Sequence, residues 1–410
     1  MRRRQQIKFT QSWMTTLEDV VKCKEGIDLT VAYYCDKSAY EPPFDYSGVH
    51  YYPIVNKGGS YMAKIRERFD TQEQRDEILL QRIEKVVADV QPDIIHIHGT
   101  ESNFGLLTNV VENIPIVISM QGIISPIVER YYAGIPQNIA AKCDTWRDYL
   151  HQINEKRVFS NYCHAAMREQ KILSHAKYVI GRTQWDREIL SLMAPKAQYF
   201  VVNEIVREGF RNNLWTKPES NDKFIITSTL SNGIYKGYET VLRCAQILKM
   251  MTRFQFEWRV IGCTERYKYA KAAMRLTGIS PNEVGVRFVG GKKEDEMIAL
   301  LKEAHLYVQT SHIENSPNAL CEAMAMGMSC VASNVGGTST IMRDGAEGIL
   351  YPDGDPYILA SIIAKVESSY DSMLAMGAAA RKKAMERNNP HNVGAELFSV
   401  YDKVIGDFSR

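Results

Sequence analysis

Two acidic residues, Glu314 and Glu322, stand with seven residues between them in the stretch TSHIENSPNALCEAMAMGMSCVASNVGG at 310–337. Ser316 is suited to cap a helix and Pro317 to open its first turn. The N–H groups of Asn318 and Ala319 are then left without partners inside the helix. Unpaired donors and a partial positive charge make such a helix start a seat for a diphosphate. Glu314 falls in the loop before this helix and Glu322 more than a turn into it. One carboxylate can then reach the sugar end of a diphosphate-linked donor while the other reaches ribose hydroxyls, because carboxylates accept strongly from vicinal hydroxyls. By spacing alone a solvated helix face is the more ordinary reading. Against that stand the apolar AMAMG after Glu322 and the lack of any other acid in the loop. Gly327 ends the helix, and the next strand leads to a tight Gly336-Gly337 turn.

These residues need a scaffold, and a chain of 410 residues calls for two domains. Apolar, β-branched runs at 28–34, 92–100, 114–122, 176–184 and 198–204 alternate with helical patterns, of which 72–90 is the longest. After a polar segment at 206–222 the alternation restarts, with strands at 224–229, 257–262, 286–290, 305–310 and 329–333. A helix follows Lys236-Gly237, an amphipathic one covers 293–304, and Asp355 with Pro356 opens another. The pattern predicts an α/β protein made of two Rossmann-like, doubly wound domains facing a cleft. Their bounds are 1–205 and 223–385, with a linker at 206–222 and a terminal helical segment at 386–410 placed to cross back to the first domain.

The net charge of +2 gives no reason to expect a nucleic acid partner. Eight cysteines without a C-x-x-C pair fit buried thiols in a reducing cytoplasm. The start MRRRQQIKFTQSW is basic but has no apolar core, so it does not read as a signal peptide. Arg2, Arg3, Arg4 and Lys8 fit a solvated tail or contact with anionic lipid. Segment 129–168 mixes aromatic and basic residues. It suits a membrane surface or a lipid-linked acceptor, and equally helices with their basic faces in water. His96 and His98 share one side of a strand, but no third metal ligand lies near them in sequence. His98 and Thr100, with Gln121 and Gly122 after the next strand, are candidates for the far side of the cleft.

The 310–352 segment resembles the signature of glycosyltransferase family four: a strand, Glu, seven residues, Glu-Ala-Met, a small residue and Gly, then a strand and Gly-Gly. RDGAEGILYP at 343–352 resembles the family's next element. Lys236-Gly237 is similar to its phosphate-binding lysine, and VRFVGGKK at 286–293 to the turn beside the nucleotide base. The likeness covers roughly 224–385 and is looser before that, resting on PDIIHIHGTES and VVNEI. It points to bacterial enzymes of capsular or O-antigen polysaccharide assembly. It implies the GT-B fold, a nucleotide diphosphate sugar as donor, a glycan or lipid-linked acceptor, retention of anomeric configuration, and neither metal nor cofactor. It also implies roles. Lys236 neutralises the leaving diphosphate, Glu314 holds the donor sugar, and Glu322 binds ribose. Ser316, Pro317, Asn318, Ala319, Gly290, Gly233 and Ser231 complete the donor site. The expected setting is the cytoplasm, free or on the inner face of the plasma membrane.

Three positions depart from that pattern. Ser231 stands near the place of an arginine, with Lys292, Lys293 or Arg266 as substitutes. Gln121 replaces a histidine and cannot serve as a base. TQSWM, with Gln11 and Ser12, replaces a glycine-rich first loop. These departures keep open a silent relative that binds nucleotide sugar and scaffolds an assembly complex, and a GT-B-like epimerase or phosphorylase.

Overall fold

The computed structural model describes residues 13–57, 71–218, 223–231, 233–366 and 370–408. The basic start, with Arg2, Arg3, Arg4 and Lys8, and the Gln11–Ser12 loop lie outside these residues. The N-terminal lobe holds two sheets. Strands β1 (Leu29–Asp36), β2 (Phe44–Tyr46) and β3 (Val49–Lys57) form the order β1-β3-β2, with β1 and β3 parallel and β2 antiparallel to β3. Strands β4 (Ile95–His98), β5 (Ile116–Ser119), β6 (Tyr178–Gly181) and β7 (Gln198–Val201) form a parallel sheet in sequence order. Ile54 of β3 shares a core with Ile97, Ile118 and Val179 of the second sheet and with Ile83 and Val86 of the helix Gln72–Val90. Thr71 and Gln74 close a capping box at the start of that helix, which covers the expected span. The sequence pattern did not announce β2 and β3. Pro53, opposite Tyr33, is a residue that argues against a strand interior.

The C-terminal lobe is one parallel sheet of β8 (Phe224–Thr229), β9 (Phe256–Ile261), β10 (Val286–Gly290), β11 (Leu306–Gln309), β12 (Cys330–Ser333) and β13 (Ile349–Tyr351). Its order, β10-β9-β8-β11-β12-β13, reverses between β8 and β11. A doubly wound sheet opens its ligand crevice at the carboxyl ends of the strands flanking such a reversal. Those ends lead here to Ser231–Lys236 and to Thr310–Ser316. At the far end of the lobe, Asp355 Oδ1 accepts from the amides of Tyr357 and Ile358, the expected cap.

The lobes are stitched together in three ways. The segment read as a linker is docked: Phe210 and Trp215 are buried in the C-terminal core, and Trp215 Nε1 donates to Ala304 O at 2.8 Å. Tyr131, Ile135 and Ala140 of the N-terminal lobe are buried in that same core, and Lys268 Nζ lies 2.6 Å from Asp144 and 2.7 Å from Glu155. The helix Pro390–Phe408 returns to the N-terminal lobe, where Val393, Leu397, Val400 and Val404 pack with Leu17, Val21, Val117 and Ile180. Among the described residues no helix is long and apolar enough to cross a membrane. All eight cysteines are free, and burial pushes the thiols of Cys244, Cys321 and Cys330 up.

At the crossing point sits Glu204, 2% exposed. Its Oε1 lies 2.7 Å from Arg387 Nη1 and accepts from Ser316 Oγ at 2.6 Å and Cys321 Sγ at 3.1 Å. Arg182 is 3.7 Å away, and Asn388 Nδ2 donates to the Glu204 carbonyl. Burial opposes ionisation of this carboxyl, yet Arg387 and Arg182 hold it well below the usual carboxylate range. Breaking a buried ion pair on one side strands the other charge. Arg387→Met should therefore lower the unfolding free energy by about 3–5 kcal/mol near neutral pH, read as an earlier urea midpoint. Because the folded-state pKa is depressed, this contribution is complete above the ordinary carboxylate value. The deficit should shrink as the pH falls below about 4.5.

Candidate active site

Lys236 Nζ lies 2.5 Å from Glu314 Oε1, although the two are far apart in sequence. Backbone contact sets this distance. Gly237 has φ 78°, and a Cβ there would fall 1.9 Å from Thr310 O. Gly336 has φ 49°, and its Cβ would fall 1.9 Å from Glu314 O, while one on Gly337 would fall 2.1 Å from Asn315 O. Only glycine fits these places. Cross-links add to the hold: His312 N donates to Tyr235 O at 2.8 Å, Thr310 Oγ1 to Lys236 O at 3.0 Å, and Gly337 N to Glu314 O at 3.0 Å. Ser311 Oγ also donates to Glu314 Oε1, at 2.7 Å.

The helix beyond Glu314 spans Asn318–Met326 and ends at Gly327 in the left-handed conformation, φ 85°. Its N-cap is Pro317, with no side-chain cap bond. This corrects the expected cap: the Ser316 hydroxyl is turned to Glu204 instead. The amides of Leu320 and Cys321 turn back to Pro317 O, so those of Asn318 and Ala319 are the ones the geometry leaves over. They open on a cavity of about 380 Å³, walled also by Ser231, Lys236, Glu314, Ser316, Pro317 and Glu322.

Further residues on that wall, among them Thr229, Tyr307, Gln309 and Met297, were not foreseen, nor was Arg207. Thr229 and Gln309 end the two strands at the reversal, the signal that marks them. Arg207 had no signal. It enters from the segment between the lobes, its Nε donating to Glu322 Oε1 at 2.7 Å, its Nη1 3.3 Å from Glu294, and its guanidinium over the Phe210 ring. It is the added cation of this cavity; Lys292, Lys293 and Arg266 do not line it. Gly233 and Gly290 are not on the wall either. Gly233, φ 139°, opens the turn Ile234–Lys236, and the amide and carbonyl of Gly290 are bonded to Cys263 O and Gly262 N.

A second cavity, about 470 Å³, lies on the N-terminal side and shares Glu314 and Ser316 with the first. Gln121 and Gly122 are on its wall, as are Glu101, Asn161, Tyr162 and Trp185, which sequence reasoning missed. Asn315 bridges the lobes here, accepting from Thr183 Oγ1 at 2.7 Å and donating to Gln121 O at 3.2 Å. The structure brings neither Thr100 nor His98 to this cavity. Thr100 is fully buried and donates to Glu169 at 2.6 Å. The His98 ring lies 4.1 Å from that of His96, and burial lowers its pKa to about 4. His96 is fixed by Tyr401 and Ser119, both at 2.6 Å. No group of three or more His, Cys, Asp or Glu placed to hold a metal ion occurs among the described residues.

Two facing Rossmann-like lobes with paired cavities between them are the GT-B architecture. The whole chain is similar in fold to sucrose-phosphate synthase from Thermosynechococcus elongatus (TM-score 0.70, 16% identity, 96% of this chain and 93% of that one). It is similar also to Anabaena HepE in complex with UDP (TM-score 0.65, 15% identity, 96% of each). Residues 208–383 match the family model for Glycosyl transferases group 1. Among curated proteins, the amylovoran biosynthesis glycosyltransferase AmsK of Erwinia amylovora is 25% identical over 54% of this chain. The match spans 54% of that relative, about half its length.

Burial raises the pKa of the Glu322 carboxyl, and Arg207 opposes the rise. Arg207→Met removes the opposing charge, so the carboxyl should titrate higher than in the wild type. Carbon-13 NMR of labelled glutamate carboxyls, with Glu322→Gln to assign the signal, measures this.

Proposed function

We propose that the protein is a glycosyltransferase that moves a hexose from a nucleoside diphosphate sugar to a hydroxyl of a glycan or lipid-linked acceptor in cell-surface polysaccharide synthesis. The observation that carries this reading is the meeting of two cavities at Glu314, one lined by a cation and a helix start, the other open to the opposite lobe. In this reading the diphosphate sits against the amides of Asn318 and Ala319 with Lys236 beside it. Ribose reaches Glu322 and the donor sugar reaches Glu314. The acceptor oxygen bonds to the anomeric carbon as the bond from that carbon to the diphosphate breaks, and the acceptor proton passes to the departing phosphate. Attack from the face the diphosphate leaves retains configuration without a protein nucleophile. Lys236 gives up its contact with Glu314 to meet the growing charge, a fixed electrostatic contribution of the kind that dominates many such steps. The polysaccharide role named for AmsK and the UDP held by HepE support the reading.

Thermal shift with UDP-, GDP- and ADP-sugars tests the donor site. One donor should stabilise the wild type and do so less in Lys236→Ala and Glu322→Ala. Lys236→Ala should also slow acceptor-dependent diphosphate release by about 10²–10³-fold in kcat. Equal shifts in all three proteins would refute the pocket assignment. Donor binding without release on any acceptor pool would favour the silent scaffold.

The same reading places the protein on an anionic membrane surface. Trp146 is 70% exposed and Tyr149 60%, with Leu150 and Ile153 also more than half exposed, all just before the helix Glu155–His175 that lines the acceptor-side cavity. Arg147 lies over the Trp146 ring, and exposed Lys156 follows within the first turn of the helix. Aromatic and aliphatic side chains flanked by cations suit the headgroup boundary. Sedimentation with vesicles of phosphatidylglycerol and phosphatidylcholine should capture the wild type. The triple variant Trp146→Ser, Tyr149→Ser, Leu150→Ser should stay in the supernatant. Self-association of the wild type, lost in that variant without any vesicle binding, would assign the patch to a second copy instead.

A further inference from the structure

The acceptor-side cavity has a chemistry that narrows what it takes, an inference that rests on the sugar-transfer reading. Its polar groups include the carboxylates of Glu101 and Glu314, the carboxamides of Gln121, Asn161 and Asn315, and the Ser316 hydroxyl. Tyr162, Trp185 and Tyr235 supply aromatic surface. Among the described residues that line it there is no lysine, arginine or histidine. Aromatic rings offer apolar faces for the C–H side of a pyranose. Carboxylates and amides complete the hydrogen bonds of hydroxyls. Glu314 is paired with Lys236, so Glu101 is the carboxylate that repels an anionic group, and no cation on the wall offsets it.

Glu101 is built into this wall. Its carboxylate folds back over two glycines: a Cβ on Gly99 would fall 1.8 Å from Oε2, and one on Gly122 would fall 3.7 Å from Oε1. The Gly99 φ of 83° favours glycine in its own right. Glu101 is exposed and lines the cavity, yet desolvation by the surrounding protein raises its carboxyl pKa, opposed by the amides of Glu101 and Gly122. The neighbouring acid, Glu169, is fully buried and consumed: it accepts from Thr100 Oγ1, the amides of Ile124 and Ser125, and Ser125 Oγ, at 2.6–2.9 Å. Arg168 is engaged as well, with Asp76 and with the main-chain carbonyl of Glu101. Glu101 therefore presents accepting capacity to the cavity while its charged neighbours are committed elsewhere.

We propose that Glu101 is an acceptor-binding residue, and that the acceptor unit bearing the attacking hydroxyl is an uncharged pyranose whose hydroxyls donate to it. Saturation-transfer NMR on the full chain with a nucleoside diphosphate present tests this. The probes are methyl glucoside, galactoside and mannoside against methyl glucuronide. At least one neutral hexoside should give a signal, and the glucuronide a signal at least tenfold weaker. Glu101→Gln should cut the hexoside signal severalfold while the thermal shift with nucleoside diphosphate stays at its wild-type value. A glucuronide signal equal to that of the best hexoside, no signal from any hexoside, or an unchanged hexoside signal in Glu101→Gln would each overturn the proposal. The wild-type comparison needs no variant to fold. Absence of any nucleoside diphosphate shift in the wild type would count against the donor reading instead, which separates the two failures.

Discussion

The closeness of two backbones organises the whole centre of the molecule. Gly237 rests on the carbonyl of Thr310, and the Gly336-Gly337 turn rests on the carbonyls of Glu314 and Asn315. A side chain at Gly237 would push apart the loops that follow β8 and β11, and one at Gly336 or Gly337 those that follow β11 and β12. With the loops pressed together, an ammonium and a carboxylate from distant parts of the chain meet at 2.5 Å. The helix that starts at Asn318 is thereby aimed at the same space. Strand order supplies the crevice and glycine supplies the closeness. The chemistry then depends on two charged groups that neither feature would bring together alone.

A further layer of charge surrounds that centre. Arg207 ties the inter-lobe segment to Glu322, while Ser316 ties the start of the helix to Glu204 and through it to Arg182 and Arg387. Glu322 and the start of the helix Asn318–Met326 are thus anchored from outside their own lobe. A change in how the lobes meet would be felt at Glu322 through Arg207 and at the helix start through Ser316, whereas Glu314 is held within its own lobe by Lys236 and Ser311.

Much of this was legible in the sequence because it is local. The alternation of strands and helices, the seven-residue gap between Glu314 and Glu322, the end of the helix at Gly327 and the Asp355 cap all depend on neighbours a few positions apart. Contacts of long range were not legible. Nothing near Arg207 says that it will meet a glutamate more than a hundred positions away. Ser316 has the chemistry of a cap, and tertiary structure offered its hydroxyl a buried carboxylate instead. Glu101 stood beside Thr100, but only the fold shows which of the two faces the cavity and which is buried under Glu169. Pro53 masked a strand because propensity speaks for isolated segments, and β3 is held by partners on both sides.

The return of the helix Pro390–Phe408 to the first lobe has a consequence for how the chain is made. Val117 and Ile180 find apolar cover on residues made long after them. The first lobe thus waits for the helix Pro390–Phe408 before its core is closed. Until that helix emerges, the lobe carries an uncovered greasy seam, and the growing polypeptide must stay soluble while the second lobe is made.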